Sequence, residues 1–178
     1  MFQKMGQTKV ILPLAVLFLI NLVLFSLPGV PGSRPMILGA TDGVKIPDMM
    51  GIYSPEDVYT FLESVGPEGR SVYQTMHYAT DLAFPLVYGA LLFALLCRET
   101  RKTETKFRWL PFLALLPTVA DLAENFIMVY ITAHFPEFLP GMTRLAQVFT
   151  LIKFGGIGLC VGIIFILFLK RKLHQQKS

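Results

Sequence analysis

Four charged side chains of mixed sign, Asp81, Asp121, Glu124 and Lys153, stand inside otherwise apolar stretches of the chain. Asp121 and Glu124, with Asn125 next in line, occur in the run Pro117-Thr-Val-Ala-Asp-Leu-Ala-Glu-Asn, and Lys153 interrupts a later apolar run. Spacings of three and four put Asp121, Glu124 and Asn125 on one face of a helix. A second set, Arg70, Gln74, His77, Asp81 and Tyr88, falls within a narrow arc of an ideal helix. Groups of these types can hold the polar end of a ligand or move a proton, because burial and neighbouring charge tune a carboxyl group toward acid–base work. A zinc site is the poorer fit. His77 and Asp81 stand at i and i+4, but the other two histidines, His134 and His174, lie toward the chain's loops and tail, and carboxylate-rich zinc sites are uncommon. Serine or cysteine nucleophiles are excluded by placement, and no phosphate loop, dinucleotide fingerprint or haem motif is present. The candidate ligand-binding set is therefore Asp81, Asp121, Glu124, Asn125, Lys153, His77, Tyr88 and Arg70, with no metal and no cofactor expected.

The elements that must position these residues are membrane helices. The chain has 178 residues, 53% of them hydrophobic and 16% charged, with a mean hydropathy of +0.56. Soluble domains carry about 25% charged residues. Four apolar stretches approach the roughly 20 residues that a bilayer span requires. They run from about 10 to 27, 76 to 97, 109 to 133 and 143 to 169. The first also has features of a signal peptide, with Lys4 and Lys9 ahead of an apolar run. Its length and the lack of an Ala-x-Ala-like site favour a retained helix.

The basic residues give the expected orientation. Eleven lie in the N-terminal tail, the link between the second and third stretches, and the C-terminal tail: Lys4, Lys9, Arg98, Arg101, Lys102, Lys106, Arg108, Lys170, Arg171, Lys172 and Lys177. Arg34, Lys45, Arg70 and Arg144 fall on the opposite side. The positive-inside rule then places both termini in the cytoplasm of a multi-pass cell-membrane protein. It also accounts for the net charge of +4 without a nucleic acid partner. Cys97 and Cys160 read as reduced packing residues rather than a disulfide.

The connector from 28 to 75 divides in two. Its first half is rich in Gly and Pro and reads as irregular. From about 55 to 65 it reads as a short amphipathic extracytoplasmic helix, started by Ser54-Pro55-Glu56-Asp57 and ended by Gly66-Pro67. The acids Glu56, Asp57 and Glu63 favour a lid on the helix ends over a helix lying on the headgroups. The expected architecture is all-α: a single membrane domain, residues 1–178, built as a four-transmembrane-helix bundle.

Counting 1.5 Å per residue places Asp81 about 6–8 Å below the outer boundary, Asp121 and Glu124 about 13–18 Å, Lys153 about 15 Å and Asn21 about 9 Å. All share the outer half. Lys153 is expected to pair with Asp121 or Glu124, since isolated charges at that depth are costly. Pro117 is expected to kink the third helix, and Gly158-x-x-x-Gly162 to bring the fourth helix close to a neighbour.

The patterns Gly66-x-x-Gly69-Arg70-x-x-Tyr73, Asp81-x-x-Phe84-Pro85-x-x-Tyr88 and Asp121-x-x-Glu124-Asn125 resemble those of an uncharacterised family of small four-helix integral membrane proteins. That resemblance implies an architecture and no activity. A more distant likeness is to the emopamil-binding (EXPERA) superfamily of sterol isomerases and sterol-binding proteins, with an acid before a proline in the second helix. The lone tryptophan, Trp109, departs from it by standing at the cytoplasmic end. Together these readings point to a polar, acid-rich pocket between the second, third and fourth helices that takes a lipid- or sterol-like small molecule among membrane lipids. The alternatives are a scaffold with a membrane-protein or self-associating partner, and an intramembrane acid–base enzyme acting on a lipid.

Overall fold

The computed structural model describes residues 2–39, 45–101 and 107–175, and every regular element among them is a helix. Gly43, Thr103, Lys102, Lys106 and Lys177 lie outside the described residues. In chain order the elements are α1 (Phe2–Met5), α2 (Thr8–Ser26), α3 (Arg34–Leu38), α4 (Pro55–Ser64), α5 (Gly66–Thr75), α6 (Asp81–Thr100), α7 (Leu115–Ala133) and α8 (Pro140–Gln175). A π-helical turn, Met76–Thr80, joins α5 to α6, and a 3-10 segment, Leu110–Ala114, leads into α7. Among the described residues, four stretches are long and apolar enough to cross a membrane: Thr8–Ser26, Gly66–Thr100, Leu110–Ala133 and Pro140–Leu173. The chain is a four-helix bundle of membrane type.

The second of these helices begins at Gly66, not near Met76 as the sequence suggested. Gly66, at φ +64°, turns the chain out of α4, and Pro67 then occupies the first turn of α5, where its missing N–H has no helical partner to lose. What reads as a terminator is also a start. The fourth helix likewise extends beyond expectation, to 36 residues and about 54 Å at 1.5 Å per residue.

The connector helix α4 is a lid. Ser54 and Asp57 form a reciprocal capping box, with Asp57 N donating to Ser54 Oγ at 3.1 Å and Ser54 N to Asp57 Oδ2 at 2.7 Å. The Ser54 N–H holds the Asp57 carboxyl below its ordinary range. Val58, Phe61 and Leu62 are fully buried, in one cluster with Ile37, Ile46, Tyr73, Met128 and Ile131. The apolar face thus packs on α5 and on the neighbouring ends of α7 and α8. Tyr59 fastens it to the loop between α7 and α8, donating its hydroxyl to the Glu137 carbonyl and accepting from Leu139 N at 2.8 Å.

A second apolar cluster, Tyr88, Leu92, Leu96, Ala114 and Cys160, fills the half of the bundle away from the lid. Between the two lies a polar layer containing His77, Asp121, Glu124, Asn125, Thr150 and Lys153, all buried. The outward surfaces of α2 and α8 are apolar and exposed, as at Leu12, Leu19, Val23, Leu159 and Phe165. That is the distribution a lipid solvent requires.

Close helix approach occurs at sites other than the one expected. A Cβ at Gly89 would stand 2.0 Å from Thr118 Oγ1, and one at Gly156 3.0 Å from Pro117 Cδ, so α6 and α8 clamp the first turn of α7 from two sides. Gly158 and Gly162 have nothing within 4 Å of such a Cβ. Pro117 also departs from expectation: it stands in the first turn of α7, directly after the 3-10 segment, where it interrupts no established helix. Helix α2 meets α6 through rings, with Phe18 stacked on Phe84 at 5.6 Å and Phe25 edge-on to Phe84 at 5.7 Å.

Candidate functional site

Lys153 of α8 reaches both acids of α7, with Nζ 3.2 Å from Asp121 Oδ1 and 2.5 Å from Glu124 Oε2. Sequence reasoning expected one partner; the three-residue spacing of the acids lets a single ammonium bridge them. The other carboxylate oxygens are also met. Tyr88 of α6 places its hydroxyl 3.0 Å from Asp121 Oδ2 and equally 3.0 Å from the Pro117 carbonyl. Thr150 Oγ1 donates to Glu124 Oε1 at 2.6 Å and lies 3.0 Å from the Tyr53 hydroxyl. The network continues into the connector, where Gln147 accepts from Tyr53 N at 2.5 Å and donates to the Gly51 carbonyl at 3.0 Å. Two acids against one base leave the cluster one negative charge in excess, counted with every group ionised.

A second cluster stands on the π-turn. The Asp81 N–H bonds the carbonyl of Met76, five residues back, and Thr80 Oγ1 donates to Met76 O at 3.0 Å and Gly32 O at 3.3 Å. Gly32 permits this contact, since at φ +73° a Cβ there would fall 2.5 Å from Met76 Cα. His77 Nδ1 then lies 3.2 Å from Asn125 Oδ1 and 3.4 Å from Asp81 Oδ2. Both neighbours are acceptors, so the hydrogen-bond network assigns the proton to Nδ1. Asn125 Nδ2 donates to the Asp81 carbonyl at 3.1 Å, and Tyr73 packs edge-on to the imidazole at 4.6 Å. His77 is enclosed, while the Asp81 side chain keeps 14% of its surface open.

The two clusters border one cavity of about 430 Å³. Its apolar wall includes Leu22 and Phe25 of α2, Met76, Phe84 of α6, and Phe154 and Ile157 of α8, with Ile46 and Met49 of the connector above. Its polar side chains are Asp81, Tyr88, Asp121 and Lys153, together with Ser26 and Arg34. The cavity therefore differs from the expected one: α2 forms a wall, where the sequence suggested only the second, third and fourth helices.

Of the eight predicted residues, Asp81, Tyr88, Asp121 and Lys153 line the cavity. Glu124, Asn125 and His77 stand behind that lining and hold it. Arg70 belongs to neither group. Its Nη1 donates to the Leu62 carbonyl at 2.8 Å and its guanidinium lies 4.3 Å over the Phe135 ring, which makes it part of the lid. Depth is the reason: Arg70 precedes Asp81 by eleven residues, about 16 Å along the helix at 1.5 Å per residue, which puts it level with the lid. Asn21, expected at the same depth, donates its amide to Leu17 O of its own helix at 2.9 Å and is absent from the lining. Sequence reasoning missed the wall residues of α2 and the cation Arg34. No periodic signal marks them, because α2 has almost no polar asymmetry and Arg34 opens the five-residue α3 inside a Gly- and Pro-rich stretch that reads as irregular.

Among the described residues, no three His, Cys, Asp or Glu side chains are placed to hold a metal ion. Cys97 and Cys160 are buried thiols. No family model matches the chain, and comparison with curated proteins and with solved structures gives no match.

Proposed function

We propose that the protein is a cell-membrane protein, with both termini cytoplasmic and the lid outside, that binds a lipid-like amphiphile in the outer half of the bilayer. The observation that carries this reading is the cavity itself. Its volume lies within the roughly 300–1,000 Å³ of small-molecule sites, and its apolar walls converge on a few polar side chains. The Lys153 cluster supplies a rigid floor rather than the contact, because its charges already meet one another. Asp81 supplies the open polar group.

Native mass spectrometry of protein purified in mild detergent, followed by lipid extraction, tests this. Wild type should retain lipid, and Leu22→Trp, which fills the cavity from an exposed wall position, should lose most of it. Absence of lipid above background, or equal retention by the variant, overturns the reading.

A scaffold role is favoured by a different observation. A Cβ at Gly155, Gly158 or Gly162 of α8 would meet nothing within 4 Å among the described residues, which leaves a strip of open backbone surface. Small residues of this kind let a second membrane helix approach.

A further inference from the structure

The cavity's polar groups are not equally available to a ligand. Lys153 bridges Asp121 and Glu124, the Tyr88 hydroxyl is shared between Asp121 and the Pro117 carbonyl, and Ser26 donates to Leu22 O at 2.9 Å. Two charges remain. The Asp81 carboxylate meets only His77 among the described residues, at 3.4 Å through Oδ2. The exposed Arg34 guanidinium meets no carboxylate among the described residues and lies 5.9 Å over the Phe25 ring at the cavity's edge. One cavity thus presents an open anion and an open cation, with apolar side chains beside both.

We propose that this pair recognises the phosphoethanolamine headgroup of an aminophospholipid, the ammonium on Asp81 and the phosphate on Arg34. This rests on the reading of the cavity as an amphiphile site and adds the chemical class of the amphiphile. A primary ammonium brings three donors to a carboxylate that lacks them, and a guanidinium matches phosphate oxygens two at a time. A headgroup with phosphate and no cation leaves Asp81 facing a second negative charge, beside a floor already one charge negative. A choline headgroup has the cation but no N–H to donate. An amine without phosphate leaves Arg34 unused. The acyl chains then lie along Leu22, Phe25, Phe154 and Ile157, on the side where α2 and α8 meet lipid.

The test compares delipidated wild type, Asp81→Asn and Arg34→Ala in binding to phosphatidylethanolamine, phosphatidylcholine and phosphatidylglycerol of identical chains, read by native mass spectrometry and by shift in thermal unfolding. Two further probes are soluble glycerophosphoethanolamine and a long-chain alkylamine. Wild type should prefer phosphatidylethanolamine by about tenfold, the scale of one charge-assisted hydrogen bond. Asp81→Asn should reduce that lipid to the level of the choline lipid, and Arg34→Ala should weaken all three phospholipids alike. The alkylamine should bind more weakly than the phospholipid and ignore Arg34→Ala. Binding of the soluble headgroup as tight as that of the lipid would reassign the site to a free metabolite and overturn the lipid source. Equal affinity for the three headgroups overturns the inference while leaving the amphiphile reading in place; binding of none overturns both. Arg34 is exposed, so its variant keeps the test valid if Asp81→Asn unfolds.

Discussion

Lys153 is the residue on which the buried charges depend. Removing it alone, as Lys153→Met, leaves Asp121 and Glu124 enclosed without their cation, and stability should fall by about 3–5 kcal/mol. Replacing all three together, with Asp121→Val and Glu124→Met added, should restore wild-type stability or exceed it, because no charge is then left stranded. Tyr88 retains the Pro117 carbonyl in that variant, and Thr150 retains the carbonyl of Ala146 at 3.1 Å. Thermal unfolding in detergent checks this; equal loss in the single and triple variants would remove the pairing from the account. This pairing was legible from the chain, since one buried cation at matching depth had only two acids to meet. The fate of Arg70 was not legible in the helical arc, because angular spacing does not register depth and Arg70 precedes Asp81 by eleven residues, about 16 Å along the helix. Nor was the availability of Asp81, which depends on Tyr88 and Lys153 being engaged elsewhere.

At the scale of the helices, α7 is the element the others enclose. Half of its spanning window is buried, against 6% for α2. Gly89 and Gly156 set how closely α6 and α8 approach it, so Gly89→Ala and Gly156→Ala should each destabilise by about 1–3 kcal/mol through overpacking. Thr118→Ala should relieve part of the Gly89→Ala cost by removing the Oγ1 that a Cβ would strike. By contrast, Gly158→Leu should leave the thermal stability of the monomer unchanged. Loss of an oligomer in that variant, seen by size-exclusion with light scattering, is the outcome the scaffold reading expects. The sequence showed four helices and the capped lid helix because apolar length and the Ser54 to Asp57 box are local signals. Which glycines face a neighbour is decided by rotation about the helix axis, and α8 carries too little polar asymmetry to reveal it. The same uniformity hid the role of α2 as a cavity wall.

For the molecule as a whole, the proposed orientation rests on the basic residues of the two tails and the α6 to α7 link. In a chain with Cys97 and Cys160 replaced by alanine, an impermeant maleimide applied to intact cells should label a cysteine placed at Gly43 and spare one placed at Thr103. The reverse pattern would invert the topology and move the cavity to the inner leaflet. The bridge from Lys153 to Asp121 and Glu124 also bears on how such a chain is made. Two acids carried alone into a bilayer cost on the order of 2.5–3.5 kcal/mol each even on lenient insertion scales. Their cation is synthesised about thirty residues later, in a helix separated from α7 only by the short loop from His134 to Leu139. During synthesis α7 is therefore expected to be a poor passenger by itself, and a hairpin of α7 with α8 the more favourable unit of entry.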